Sequence, residues 1–80
     1  MSAATEAPDT PRRHLLAIAH RAITFPDLAR SEVEDEVALI SVIVDREARE
    51  RAFRELMGAL RRGERDAAET LVDLLLGRLR

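Results

Sequence analysis

The feature that limits the fold most is a proline-free segment over residues 31–62, which is rich in helix formers and contains a single glycine. Alanine, leucine, arginine and glutamate supply most of its residues, and all four favour helices. Ser31 and Glu34 have the spacing of a capping box, in which each side chain satisfies a backbone N–H of the other residue. Gly63 offers a stop at the far end. The sequence therefore predicts one long helix over residues 32–62.

Two features of this segment oppose an unbroken helix. Gly58 lies inside it and weakens it by up to ~1 kcal/mol relative to alanine. Residues 37–44 are rich in β-branched side chains, which are typical of strands. We reject a strand because helix-forming runs flank these residues and no second strand exists to pair with them. Ser41 is then expected to bond back to a carbonyl of its own helix.

A shorter helix is predicted before the long one. Thr10 is a suitable cap and Pro11 suits the first helical turn, where its missing N–H costs nothing. The helix is expected to end before Pro26, with Phe25 and Leu28 as anchors in the core. Its apolar face comprises Leu15, Leu16, Ile18, Ala19, Ala22 and Ile23.

A third helix of medium length is predicted from residue 64 to the C-terminus. Its apolar residues cover an arc of roughly 200°, wider than a surface helix needs, so it should pack against more than one neighbour. Residues 1–10 are predicted to be a disordered tail, because they are small and polar with nothing to bury. The fold class is therefore all-α, with three helices (short, long central and medium) in a single helical domain over residues 11–80.

The small size of the chain favours self-association. It has 80 residues and no cysteine, so disulfides cannot supply the stability that a small core lacks. Residues 37–44 would also place apolar side chains on almost every side of the long helix. The chain has only two other predicted helices that could pack against them. We therefore expect a homodimer or a higher homo-oligomer. The predicted interface comprises Val37, Ile40, Ile43, Val44, Phe53, Leu56, Met57, Leu60, Leu71 and Leu75.

Charge is divided along the predicted long helix. Residues 32–36 are mostly acidic, whereas Arg54, Arg61 and Arg62 make the other end basic. Two explanations remain open. In the first, the helix dipole alone favours acidic residues at the start of the helix and basic residues at its end. In the second, a two-fold axis pairs the helix with an antiparallel copy, so that acidic ends lie beside basic ends. The expected assembly is an antiparallel homodimeric helical bundle.

The sequence offers little chemistry. His14 and His20 are six residues apart on one helix, which is the wrong spacing for a shared metal ion. No Glu-x-x-His pair exists, and the three glycines are scattered rather than grouped in a phosphate loop. We expect no catalytic, cofactor-binding or metal-binding residues, and hence no enzyme activity.

The predicted function is a non-enzymatic protein–protein interaction or accessory module that acts by self-association, with an unidentified protein partner also possible. The alternative is a small DNA-associated regulator that uses the arginine-rich end of the long helix. The net charge of −2 opposes nucleic-acid binding. No apolar run approaches the ~18 residues that span a bilayer, and residues 1–10 do not resemble a secretory signal. A cytoplasmic location without membrane contact is therefore expected.

Overall fold

Four helices make up the fold in a computed structural model that describes residues 9–79. They are α1 (Thr10–Thr24), α2 (Arg30–Ile40), α3 (Arg46–Arg61) and α4 (Arg65–Leu75). The predicted all-α class is confirmed, and these residues contain no strand. Positions 1–8 of the predicted disordered tail lie outside the described residues.

Helix α1 follows the sequence prediction closely. It begins at Thr10 and ends at Thr24, before Pro26, and its apolar face buries Leu15 and Ile18. The cap differs from the prediction, because the side chain of Asp9 rather than Thr10 accepts the N–H of Arg12. A carboxylate at this position satisfies one of the free N–H groups of the first turn.

Asp9 also joins the two ends of the described chain, because the guanidinium of Arg78 donates a hydrogen bond to its carboxylate. The Arg78 bond is the largest cause that holds the pKa of Asp9 below its ordinary value, and the N–H of Arg12 adds to it.

The Asp9 pair makes a pH-dependent contribution to stability. A carboxyl whose pKa is lowered by folding stabilises the fold above its unfolded pKa of about 4, and this contribution is lost as the pH falls through the lower folded value. We expect Asp9→Asn, which keeps a capping oxygen, to unfold at lower temperature than the wild type at neutral pH. Thermal unfolding across an acid pH series should show the two midpoints converging below pH ~4. A constant gap would contradict the pairing.

The predicted continuous helix over residues 32–62 is wrong, and so is the count of three helices. Helix α2 ends at Ile40, and residues 41–45 form an extended linker before α3. The carbonyl of Leu75 in the last turn of α4 has no partner within its own helix. It accepts both the Ser41 hydroxyl, at 2.8 Å, and the N–H of Val42, at 2.9 Å. Ser41 thus bonds to another helix and not to its own.

The linker also supplies the N-cap of α3. The Ser41 oxygen accepts the N–H of Ile43 at 3.1 Å, and the Asp45 carboxylate caps α3 by accepting the N–H of Ala48 at 3.2 Å. The β-branched side chains of this segment resist helix formation, because their χ1 freedom is lost there. These bonds replace those that a continuous helix would make.

The predicted capping box at Ser31 is also wrong. Helix α2 begins at Arg30 with Ala29 at the N-cap position, and no side chain caps it. The N–H groups of Glu32 and Val33 already donate to the Ala29 carbonyl. Ser31 therefore lies inside the first turn, two residues after the N-cap position.

Glycines end the last two helices. Helix α3 runs through Gly58 without a break and ends before Gly63, as predicted, with Gly63 at φ +71°. Helix α4 ends at Leu75, short of the predicted C-terminal extension, because Gly77 adopts φ +72°. Each glycine and the residue after it donate their N–H groups to carbonyls in the last turn of the helix. This pair of bonds is the Schellman motif.

The core lies where the four helices meet, and α3 and α4 form a helical hairpin across it. Every helix contributes to it, and its largest fully enclosed side chains are Leu15, Ile18, Val37, Leu56, Val72 and Leu75. The prediction that Phe25 and Leu28 anchor in this core is wrong, because both are exposed. Of the residues that surround the turn over residues 25–29, Val33, Val37 and Phe53 are the buried ones.

Candidate interaction surfaces

The residues predicted as an interface fall into three groups. Val44 is 91% exposed. Val37, Phe53, Leu56 and Leu75 are buried within the chain itself. The others are partly buried and pack against the core, namely Ile40, Ile43, Met57, Leu60 and Leu71. For the residues of the predicted long helix, the break between α2 and α3 contributes to this division, because it turns parts of that helix toward different neighbours.

Exposed aliphatic side chains gather around the linker and the end of α4. We call this set the linker patch; it comprises Leu39, Val42, Val44, Leu74 and Leu79. The bonds from the linker to the Leu75 carbonyl bring the two segments together. Their approach is close, since a Cβ added to Gly77 would lie only 2.6 Å from Cγ2 of Val42.

The linker has a fixed conformation. Its side chains alternate as in a strand, so that Ser41 and Ile43 lie toward the protein while Val42 and Val44 are exposed. The guanidinium of Arg49 donates to the carbonyl oxygens of Ile43, at 3.0 Å, and Val44, at 3.5 Å. The backbone around Val44 is therefore hydrogen-bonded to α4 through Val42 and to α3 through Arg49, while the Val44 side chain lies in solvent.

A second surface is a cleft of about 300 Å³ between α2, α3 and the turn over residues 25–29. We call it the α2–α3 cleft. Its apolar wall comprises Ala22, Phe25, Pro26, Leu28, Val33, Val37, Phe53 and Met57. Its charged residues are Arg30, Glu34, Arg49, Glu50, Arg54 and Arg61.

The charges of the cleft differ between its two ends. Arg46 offsets one of the two negative charges at the acidic end, since it contacts Glu34 at 3.5 Å and Glu50 at 2.9 Å. The hydrogen bond from Arg46 is the largest cause that lowers the pKa of Glu50, and the same bond raises the pKa of Arg46. Within residues 9–79, Arg30, Arg54 and Arg61 form no salt bridge. The other end of the cleft is therefore positively charged.

The other candidate groups are dispersed. His14 and His20 are both exposed. No group of three or more acidic, histidine or cysteine side chains in the described part of the chain is arranged to hold a metal ion. None of the helices found between positions 9 and 79 is long and apolar enough to cross a bilayer.

The arginines of the proposed DNA-binding end are partly engaged. Arg46 is paired with two glutamates, Arg62 lies 3.0 Å from Glu64, and Arg49 is bonded to the linker. These contacts lower the number of guanidinium groups free to reach phosphates. The DNA-associated alternative stays a prediction.

Sequence reasoning missed the α2–α3 cleft, although one signal for it was present. Pro26 and Asp27 mark a turn, and the large apolar residues on either side of such a turn need a surface to contact. Because Phe25 and Leu28 were assigned to the core, the cleft that they border was not foreseen.

Comparison with known proteins gives this chain no family. No protein-family model matches it, and no curated protein or solved structure is significantly similar to it. Function must therefore be inferred from the two surfaces themselves.

Proposed function

We propose that this protein is a non-enzymatic interaction module that forms a homodimer through the linker patch. The observation that carries the proposal is the exposure of Leu39 (85%), just before the linker, and of Val44 (91%), inside a linker that is bonded in place. Contiguous exposed apolar side chains are typical of protein–protein contacts. A two-fold axis through the patch would let each copy cover the same side chains of the other.

Two further features support self-association. A linker held by Ser41 and Arg49 loses little conformational freedom on binding, and such preorganisation favours affinity. The charge division also persists, because α2 carries the acidic residues 32–36 while the second half of α3 carries Arg54 and Arg61. Unlike charges would approach each other if the two copies were antiparallel, and electrostatic complementarity of this kind favours one orientation.

Val44→Glu tests the proposal. We expect the wild type to sediment as a dimer at micromolar concentration and the variant as a monomer. Placing a carboxylate in an apolar contact should raise the dissociation constant by on the order of a hundredfold. The helical circular dichroism and the thermal midpoint of the monomer should not change, because the side chain at this position lies in solvent.

Ala17→Glu is the matched control, because Ala17 is exposed on α1 and belongs to neither surface. It adds the same charge and should leave the wild-type mass unchanged. A wild type that remains monomeric throughout the micromolar range would refute self-association. A Val44→Glu variant with undiminished mass would place the contact elsewhere.

A further inference from the structure

The α2–α3 cleft is a separate feature from the linker patch, since the two sets share no residue. Its volume of about 300 Å³ lies at the lower end of the range for small-molecule sites. At its mouth Phe25 is 58% exposed, which is unusual for an aromatic ring. The cleft therefore offers apolar surface that the fold itself leaves uncovered.

The basic groups cluster at one end of this cleft. Arg30 precedes Glu34 by one turn of α2, and Arg54 follows Glu50 by about one turn of α3, where its charge also lowers the pKa of Glu50. Arg61 lies seven residues after Arg54, on the same side of α3 and about 10 Å further along it. These guanidinium groups thus border the apolar mouth.

We propose that the α2–α3 cleft binds a small anionic amphiphile, an aliphatic chain that ends in a carboxylate. The chain lies against Phe25, Leu28 and Met57, and the carboxylate is held by Arg54 and Arg61. A guanidinium suits this role because its planar donors match the two oxygens of a carboxylate.

Size and charge together select this ligand. A partner helix is about 10–12 Å wide with its side chains, so a cleft of about 300 Å³ cannot enclose it. An aliphatic chain fits between α2 and α3 without opening them. A cationic amphiphile would bury the same methylene groups but would meet the like charge of Arg30, Arg54 and Arg61.

Titration with decanoate below its micelle concentration tests the proposal. Heteronuclear NMR should show saturable shifts at the Met57 methyl group and the Phe25 ring. Decyltrimethylammonium, which has the same chain and the opposite charge, should bind about tenfold more weakly or worse. The double variant Arg54→Gln/Arg61→Gln should weaken decanoate binding by about tenfold, because it removes both contacts with the carboxylate.

Arg51→Gln/Arg65→Gln is the matched control, since it removes the same charge from two exposed arginines that do not line the cleft. It should bind decanoate as the wild type does. The monomeric Val44→Glu variant should also bind normally, which separates this site from the proposed dimer contact.

Three results would overturn the proposal. The first is equal affinity for the anionic and cationic amphiphiles. The second is a set of shifts confined to Val42 and Val44, which would place the ligand on the linker patch. The third is an acidic peptide helix that binds at Phe25 while decanoate does not, which would assign the cleft to a protein partner.

Discussion

Replacing Gly77 by alanine is expected to lower the free energy of unfolding by about 2–5 kcal/mol. The φ angle of +72° costs an L-residue about 1–2 kcal/mol. The added Cβ would also lie 2.6 Å from Cγ2 of Val42, so the linker would have to move away from α4. Overpacking of this kind costs a further ~1–3 kcal/mol. Chemical denaturation monitored by circular dichroism measures the loss.

The other two glycines are controls for the Gly77 prediction. Gly63 has nearly the same φ, +71°, but nothing lies within 4 Å of its added Cβ. Gly63→Ala should therefore lose only the backbone cost of about 1–2 kcal/mol. Gly58→Ala should gain up to ~1 kcal/mol, because Gly58 is helical and its added Cβ meets only the exposed guanidinium of Arg62, at 3.1 Å. Equal losses at Gly63 and Gly77 would show that Val42 does not pack against Gly77.

Leu56→Ala is expected to lower the free energy of unfolding by about 2–5 kcal/mol, which is the range for removing a buried leucine side chain. Leu56 is 0% exposed and lies in the middle of α3. In a domain this small the loss is a large part of the total stability, so the variant can be partly unfolded. Leu56→Met, which conserves volume, should cost less than about 1.5 kcal/mol and stay folded.

Leu39→Ala provides the comparison, because Leu39 is 85% exposed at the end of α2. Its free energy of unfolding should stay within about 0.5 kcal/mol of the wild type when measured on the monomer. The Leu56 loss should also be independent of protein concentration. A loss that grows on dilution would show that Leu56 is buried by a second copy, as the sequence suggested.

Local signals sufficed for α1 and for the hairpin of α3 and α4. These signals each act over a few residues: the spacing of Leu15 and Ile18, the proline after α1, and Gly63. The structure has the buried face, the end of α1 and the end of α3 at the predicted places. Gly77 carried a similar signal. It was overlooked because the apolar residues around it continue the helical pattern.

The break between α2 and α3 has no sufficient local signal. Residues 41–45 are extended because Ser41 and Val42 bond to Leu75, and Ser41 lies 34 residues away from it in sequence. Local propensity only weakens the helix there, through the β-branched side chains. A single sequence does not reveal which distant carbonyl lacks a partner.

The two surfaces were predictable to different degrees. The sequence named Val44 as an interface residue, but the same argument also named Val37, which is buried in the core. The cleft could not be derived, since it depends on the angle at which α2 leaves the turn after Phe25. Its arginines were visible in the sequence, but the pairing of Arg46 with Glu34 and Glu50 was not.

The bonds at Leu75 also have a consequence for the order of folding. Contacts between distant residues form late, because the loop between them must first close. A chain still being synthesised, with Leu75 not yet available, has no acceptor for Ser41 and Val42, and its local preference over residues 32–62 is helical. We therefore expect helix α4 to act as a template, so that residues 32–62 divide into two helices only after α4 has formed.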